Sequence, residues 1–267
     1  MKFSSRWSVL FIFVLGHTAL LRAEMPALLS QALDKERAQA GRWAYTETQE
    51  TRNRKGKLKE AVVIRYDPSK PYAEQYSALS VDGQPPTKKV QKQCRERGEQ
   101  EAAAREMLQQ KPENAADEEA PKIDLGSEHG VLVLKEAAVV AETDQLITYK
   151  IPVVGNKKSS FPFDKIHVLI RVNKQAAALD EIRLNMLSPF RMKLVAKIRG
   201  VEICARYTTV DPAHPPQVAT VNVDAKVSVF FAKMDEHVQV GRTDYKRVKP
   251  FDERFSTKSG PLRTLGF

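Results

Sequence analysis

Ala219-Thr220-Val221-Asn222-Val223-Asp224-Ala225-Lys226-Val227-Ser228-Val229-Phe230-Phe231 sorts its side chains by alternation. Val221, Val223, Ala225, Val227, Val229 and Phe231 fall on one side of an extended chain, and Thr220, Asn222, Asp224, Lys226 and Ser228 on the other. Successive side chains of a strand point to opposite faces, so this stretch predicts a strand with one apolar and one wet face. Half-wet strands belong to antiparallel sheets. Working outward, Val168, Ile170 and Val172 alternate with His167, Leu169 and Arg171, and Ile182, Leu184 and Met186 with Arg183, Asn185 and Leu187. Met192, Leu194, Ala196 and Ile198 oppose Lys193, Val195, Lys197 and Arg199, while Val201, Ile203, Ala205 and Tyr207 oppose Glu202, Cys204, Arg206 and Thr208. Val131 to Leu134 and Val139 to Ile151 read as two further strands. Polar turns at Asn173 to Ala177, Arg199-Gly200 and Asp211 to Gln217 predict a long meander, with Asp235-Glu236-His237 as a hairpin turn between Phe231 and Val238.

The first half adds helices to this pattern. Leu28, Leu29, Ala32, Leu33 and Glu36 stand at helical spacing, so a helix is expected over Pro26 to Ala40, before Gly41. From Trp43 the period is two: Trp43, Tyr45 and Glu47 alternate with Ala44, Thr46 and Thr48, and Val62, Ile64 and Tyr66 with Val63, Arg65 and Asp67. The basic turn Asn53 to Lys57 between them makes a hairpin, and Tyr72 to Val81 a short third strand before the turn Asp82 to Pro86. Lys88 to Lys122 is charged and poor in aliphatic side chains, which predicts a solvated surface helix followed by an acidic linker. Long strands twist and curl, and a curled sheet must fill its hollow; the N-terminal helix is the natural plug. The expected fold is α+β, mostly β: a strongly curved antiparallel sheet, an incomplete β-barrel, with an N-terminal and one inserted helix on or near its concave face.

Met1 to Ala23 has the form of a secretory signal peptide, with Lys2 and Arg6 in front, the apolar run Val9 to Leu15, and Leu21-Arg22-Ala23 at the cleavage end. That run is too short for a membrane span, which needs about 20 apolar residues. The expected organisation is therefore a signal peptide (1–23), one curved-sheet domain (24–248) carrying the insertion 88–122, and a loose polar tail (249–267), located in the periplasm or secreted. The precursor carries 43 Lys and Arg against 33 Asp and Glu. This mixed, mildly basic balance is compatible with ordinary solubility and with peripheral contact with anionic membranes, and export disfavours nucleic acid. An exported chain can oxidise Cys94 and Cys204 to a disulfide; the alternative leaves Cys204 a buried thiol and Cys94 an exposed one.

Three segments carry a resemblance: Trp43-Ala44-Tyr45-Thr46-Glu47-Thr48, Val63-Ile64-Arg65-Tyr66-Asp67-Pro68-Ser69-Lys70-Pro71, and Ser80-Val81-Asp82-Gly83-Gln84-Pro85-Pro86-Thr87. With an N-terminal helix before a Trp/Tyr-led first strand, the chain resembles the LolA-like family of periplasmic lipoprotein carriers over most of residues 25 to 248. The resemblance implies an incomplete barrel, partly closed by helices, whose apolar cavity shelters lipoprotein acyl chains in water. The chain departs from the simple carriers in its length, its charged insertion and its basic tail.

Candidate cavity-lining residues are Trp43, Tyr45, Val62, Ile64, Val168, Ile170, Leu184, Met186, Leu194, Ile203, Val223, Val227 and Phe231; the same pattern would serve a filled core. Arg65 and Arg206 are candidates for polar groups at the cavity mouth, the alternative being outward-facing charges on half-wet strands. His129, His167, His214 and His237 lack metal-ligand spacing, and no nucleophile elbow, phosphate loop or dinucleotide fingerprint occurs. No catalytic residue, metal or cofactor is expected. The expected partners are lipid or lipoprotein acyl chains, or else an envelope protein if the chain is an interaction module with a filled core.

Overall fold

The computed structural model describes residues 25–109, 122–124, 131–154, 162–192, 196–229 and 232–254; the expected signal peptide, Leu194 and Phe231 lie outside them. In chain order the elements are α1 (Ala27–Gln39), β1 (Trp43–Asn53), β2 (Leu58–Tyr66), β3 (Tyr76–Val81), α2 (Lys88–Gln109), β4 (Lys122–Asp124), β5 (Val131–Val133), β6 (Ala138–Glu142), β7 (Leu146–Val154), β8 (Ile166–Asn173), β9 (Ala178–Met186), β10 (Phe190–Met192), β11 (Ala196–Thr208), β12 (Gln217–Val229) and β13 (Ala232–Arg247). The strands form one curved, unclosed antiparallel sheet in the order β3-β2-β1-β13-β12-β11-β9-β8-β7-β5-β4, with β6 paired to β7 and β10 to β11. Two meanders, β1–β3 and β7–β13, are thus joined where the first long strand pairs with the last, from Trp43↔Arg247 to Asn53↔Glu236.

Alternation along β8 is strict: Ile166, Val168, Ile170 and Val172 are buried, and their neighbours are half-exposed. The same face of β7 offers Ile147, Tyr149, Ile151 and Val153, and β9 offers Ile182 opposite Ile170. Leu29, Ala32 and Leu33 of α1 close onto this surface at 0–1 % exposure. Burying each such side chain stabilises by about 1.5–3 kcal/mol, which makes α1 the plug of this end of the sheet.

The second helix docks differently. α2 rests on β3 and on a 3-10 turn at Tyr72–Glu74; it buries Cys94 and Glu101 rather than an aliphatic stripe and leaves most of its other described side chains exposed, the solvated helix that its composition suggests. Gly98 makes the approach close enough, since a Cβ there would lie 1.9 Å from the Tyr72 carbonyl oxygen.

Several turns fall elsewhere than alternation places them. Val139 to Ile151 is a hairpin of β6 and β7, with Thr143 N–H donating to Leu146 O at 2.8 Å. Arg199-Gly200 is a bulge inside β11, where Ile198↔Val227 is followed by Gly200↔Lys226. A bulge absorbs an extra residue without ending a strand. Asp235-Glu236-His237 lies within β13, where cross-strand partners satisfy its polarity: Asp235 faces Lys226 and pairs with Arg199, and His237 Nδ1 is 2.9 Å from Asp224 Oδ1. The start of the expected loose tail is also tied down. Phe251 N–H donates to Pro68 O at 2.8 Å, Tyr72 Oη to Asp252 at 2.6 Å, and Arg42 forks onto Glu253.

Gly98→Ala should lower stability by about 1–3 kcal/mol, because the added methyl group must push α2 off the Tyr72 carbonyl. Urea unfolding measures the loss, and limited trypsinolysis should show faster cutting at Arg95 and Arg97.

Candidate functional site

Both helices sit on the same face of the sheet, and the strand register decides what they meet there. On β1 that face presents Trp43, Tyr45 and Glu47. β2 sets Tyr66 opposite Tyr45, and β3 sets Tyr76 opposite Tyr66. β13 sets Arg242 opposite Glu47, and a bulge around Asp244 (φ 52) brings Tyr245 beside Tyr45. The result is an aromatic run across four strands. Ring centroids are 5.7 Å apart for His214–Trp43, 6.4 Å for Trp43–Tyr245, 5.8 Å for Tyr245–Tyr45, 5.0 Å for Tyr45–Tyr66 and 4.8 Å for Tyr66–Tyr76.

Two arginines lie on this run, Arg97 4.0 Å above the Tyr76 ring and Arg242 4.4 Å above Tyr45. Buried Glu47 joins them: Oε2 accepts from Arg242 Nε at 3.1 Å, and Oε1 lies 3.6 Å from Arg97 Nη1. Buried Glu101 completes the network, 3.5 Å from Arg97 Nε and accepting from Tyr76 Oη at 2.7 Å. Burial pushes the Tyr45 and Tyr76 phenols far above their ordinary range, and that of Tyr245 to about 12, so all three are neutral donors at physiological pH. Burial opposes the charge on both guanidiniums, yet the surrounding phenols and carboxylates more than offset it and hold both firmly cationic.

Glu36 of α1 is near enough to feel the Arg242 charge. Loss of solvent raises its carboxyl to about 7, with the Arg242 charge only partly opposing the rise. Burial likewise drives Tyr207 of β11 well above the phenol range, and Glu36 adds to that. Glu36, Tyr45, Tyr207, Arg242 and Tyr245 are nevertheless all half-exposed. These groups have lost much of their solvation yet keep some exposure on the face that the two helices cover. Beside them on the same face run the half-exposed aliphatic side chains of Val62, Ile64, Val221, Val223, Val227, Val238 and Val240. This face of the sheet therefore has an end covered by α1, a half-exposed aliphatic middle, and a polar aromatic end under α2.

The residues singled out in the sequence fall into different parts of this surface. Val168, Ile170 and Ile203 are 1–5 % exposed and packed, and Leu184 and Met186 lie against the α1 cluster. Trp43 is buried in the aromatic run, whereas Tyr45, Val62, Ile64, Val223 and Val227 are half-exposed on the same face. Arg65 and Arg206 do not reach it. Arg65 donates to Thr46 Oγ1 at 3.2 Å and Arg206 to Glu181 at 3.1 Å, both on the opposite face, as strand alternation requires. Cys94 and Cys204 are both buried and free, not paired. Burial raises the Cys94 thiol, with an opposing hydrogen bond from the Ala78 backbone, while Cys204 lies beside Glu181 on the far face. Glu47, Arg97, Glu101 and Arg242 were not among the candidates. The readable signal was Glu47, a carboxylate in phase with Trp43 and Tyr45.

Comparison with protein-family models and with curated proteins gives no match. Among solved structures, the chain is similar to a LolA superfamily protein from Nitrosomonas europaea, at 11 % identity over 86 % of this chain and 96 % of that one, with a TM-score of 0.36.

Removing Glu47 would take the shared carboxylate from two half-buried guanidiniums, so Glu47→Ala should cost about 2–3 kcal/mol in urea unfolding, between an exposed and a fully buried pair. Glu36 has its own pH signature. Its raised pKa means that the folded state binds the extra proton, so stability is highest below the unfolded pKa of about 4.5 and falls as pH rises towards about 7. Glu36→Gln should remove this fall, making the variant about 3 kcal/mol more stable than wild type at pH 8 and about equal at pH 4.

Proposed function

We propose that this protein is an exported, non-catalytic binding protein of the cell envelope that holds acyl chains, of a lipid or a lipoprotein, inside its unclosed sheet. The observation that carries the reading is the aliphatic middle of the interior face, where Val62, Ile64, Val223 and Val227 from separate strands stay half-exposed while α1 covers the neighbouring end. Sheltering an acyl chain is worth about 0.8 kcal/mol per methylene, so such a surface binds without any reactive group. The resemblance of the Trp43 to Thr48, Val63 to Pro71 and Ser80 to Thr87 segments to LolA-like carriers supports the same reading, as does the form of Met1 to Ala23. Among the described residues no helix is long and apolar enough to cross a membrane.

A second reading, an interaction module, is favoured by β6. All five of its residues are exposed, with Val139 and Val140 each at 52 %, and strand edges of this kind pair readily with other chains.

Native mass spectrometry of the mature chain, purified from the periplasm without detergent and followed by organic extraction, tests the carrier reading. An acyl-bearing adduct is expected, and Val223→Asp should weaken binding of added monoacylglycerol at least tenfold, about 1.4 kcal/mol, while the protein remains folded. A bare mass, with no uptake of added acyl probe, favours the second reading.

A further inference from the structure

We propose that the outer face of the sheet, at the end where the β1–β2 and β12–β13 turns lie, docks on an anionic lipid surface, with Arg191, Lys197, Lys226 and Lys233 as the side chains that meet its phosphates. This contact is separate from the inner face and from whatever that face holds. Strand register assembles the surface. Arg191 of β10 stands opposite Lys197 of β11, Lys197 opposite Ser228 of β12, and Ser228 opposite Lys233 of β13. One step along, Gly200 is opposite Lys226, and Lys226 opposite Asp235. Both rows are on the side turned away from Val223 and Val227, because the side chains of a strand alternate between faces.

The charge of this end is largely uncompensated. Arg191, Lys197, Lys226 and Lys233 are exposed and, among the described residues, form no ion pair. Asp235, the carboxylate within the two rows, is already taken, since it pairs with Arg199 and lies 3.8 Å from Arg54. The β1–β2 turn adds exposed Lys55 and Lys57. Two residues further along β11 and β12, Glu202 opposite Asp224 turns the face acidic, so the excess of cations is confined to the strand ends.

Spacing and neighbours favour a lipid surface over a small anion or an acidic protein. Adjacent strands are about 4.8 Å apart, so the backbones of Lys197 and Lys233, two strands apart, stand about 10 Å from each other. Cations spread across the strands in this way suit a plane of many phosphates rather than one. Aliphatic groups lie at the same end: Leu58, opposite Arg52 of β1, is 41 % exposed, and Leu187, between β9 and β10, is 54 % exposed. A head-group layer receives the cations and the acyl boundary beneath it receives apolar side chains, and each Lys or Arg near an anionic surface adds to the attraction.

Flotation of the mature chain with lipid vesicles is the test. Phosphatidylcholine vesicles containing about 30 % phosphatidylglycerol should carry the protein upward at low salt, phosphatidylcholine alone should not, and about 0.5 M NaCl should release most of it. The triple variant Lys197→Gln, Lys226→Gln, Lys233→Gln should bind the anionic vesicles at least roughly tenfold more weakly. A second triple variant, Lys70→Gln, Lys246→Gln, Lys249→Gln, removes the same charge from exposed lysines at the other end of the sheet and should change binding by less than about twofold. Far-UV circular dichroism confirms that both variants are folded. An equal loss in the two variants, equal binding to neutral vesicles, or no binding to anionic ones overturns the proposal. Tighter binding to poly-glutamate than to the anionic vesicles gives this face to an acidic polypeptide and overturns it as well.

Discussion

The pairing of β1 with β13 is the constraint from which the rest of the molecule follows. Each meander could form from local turns, but only this ladder joins them into one sheet, and its register places Glu47 directly opposite Arg242. Side chains alternate with a period of two, so a slip by one residue would turn Tyr45, Glu47, Arg242 and Val240 outward together. The aromatic run and the charge network are therefore consequences of one register. The one bulge within the pair, where the step from Ala44 to Thr46 faces Asp244 and Tyr245, then brings Tyr245 to Tyr45 and Trp43.

The two helices use that face by opposite means. α1 is held by aliphatic burial, a non-directional force that tolerates small shifts. α2 has no comparable stripe, and its position is set by Gly98 against Tyr72, by the Tyr76–Glu101 hydrogen bond and by Arg97 between ring and carboxylates. Between them the sheet keeps aliphatic side chains partly wet. In a protein selected only for stability this surface would be filled, since each residue left half-exposed forgoes part of the roughly 1.5–3 kcal/mol that full burial supplies.

The fold was legible where burial follows the chain's own period. Strict alternation in β8 and the 3.6-residue spacing of Leu29, Ala32 and Leu33 located the sheet and its plug, because in those elements each residue's environment repeats along the chain; β9 and β12 alternate in residue type although their burial does not. Turns were less legible. Arg199-Gly200 carries turn-like residues but is held in a strand by Lys226 and Asp235 across the ladder, partners far away in sequence. The polar half of the site was largely hidden for the same reason. Arg97 and Arg242 have no local signature, since what recruits them is Glu47, 50 and 195 residues distant. Arg65, by contrast, looked unusual beside Ile64 and Tyr66 only because adjacent strand residues face opposite sides.

A buried Arg–Glu–Arg arrangement is a poor source of net stability, because desolvating three charges costs several kcal/mol per ion before attraction returns it. Its effect here is directional. Each guanidinium lies against a ring face and beside a carboxylate at once, which sets where it sits between the strands and α2. Apolar replacements of similar volume could raise stability, but they would remove what keeps the tyrosines apart and α2 raised on polar side chains. The network thus fixes how α2 sits over the tyrosines by direction, where hydrophobic packing alone would leave its position loose.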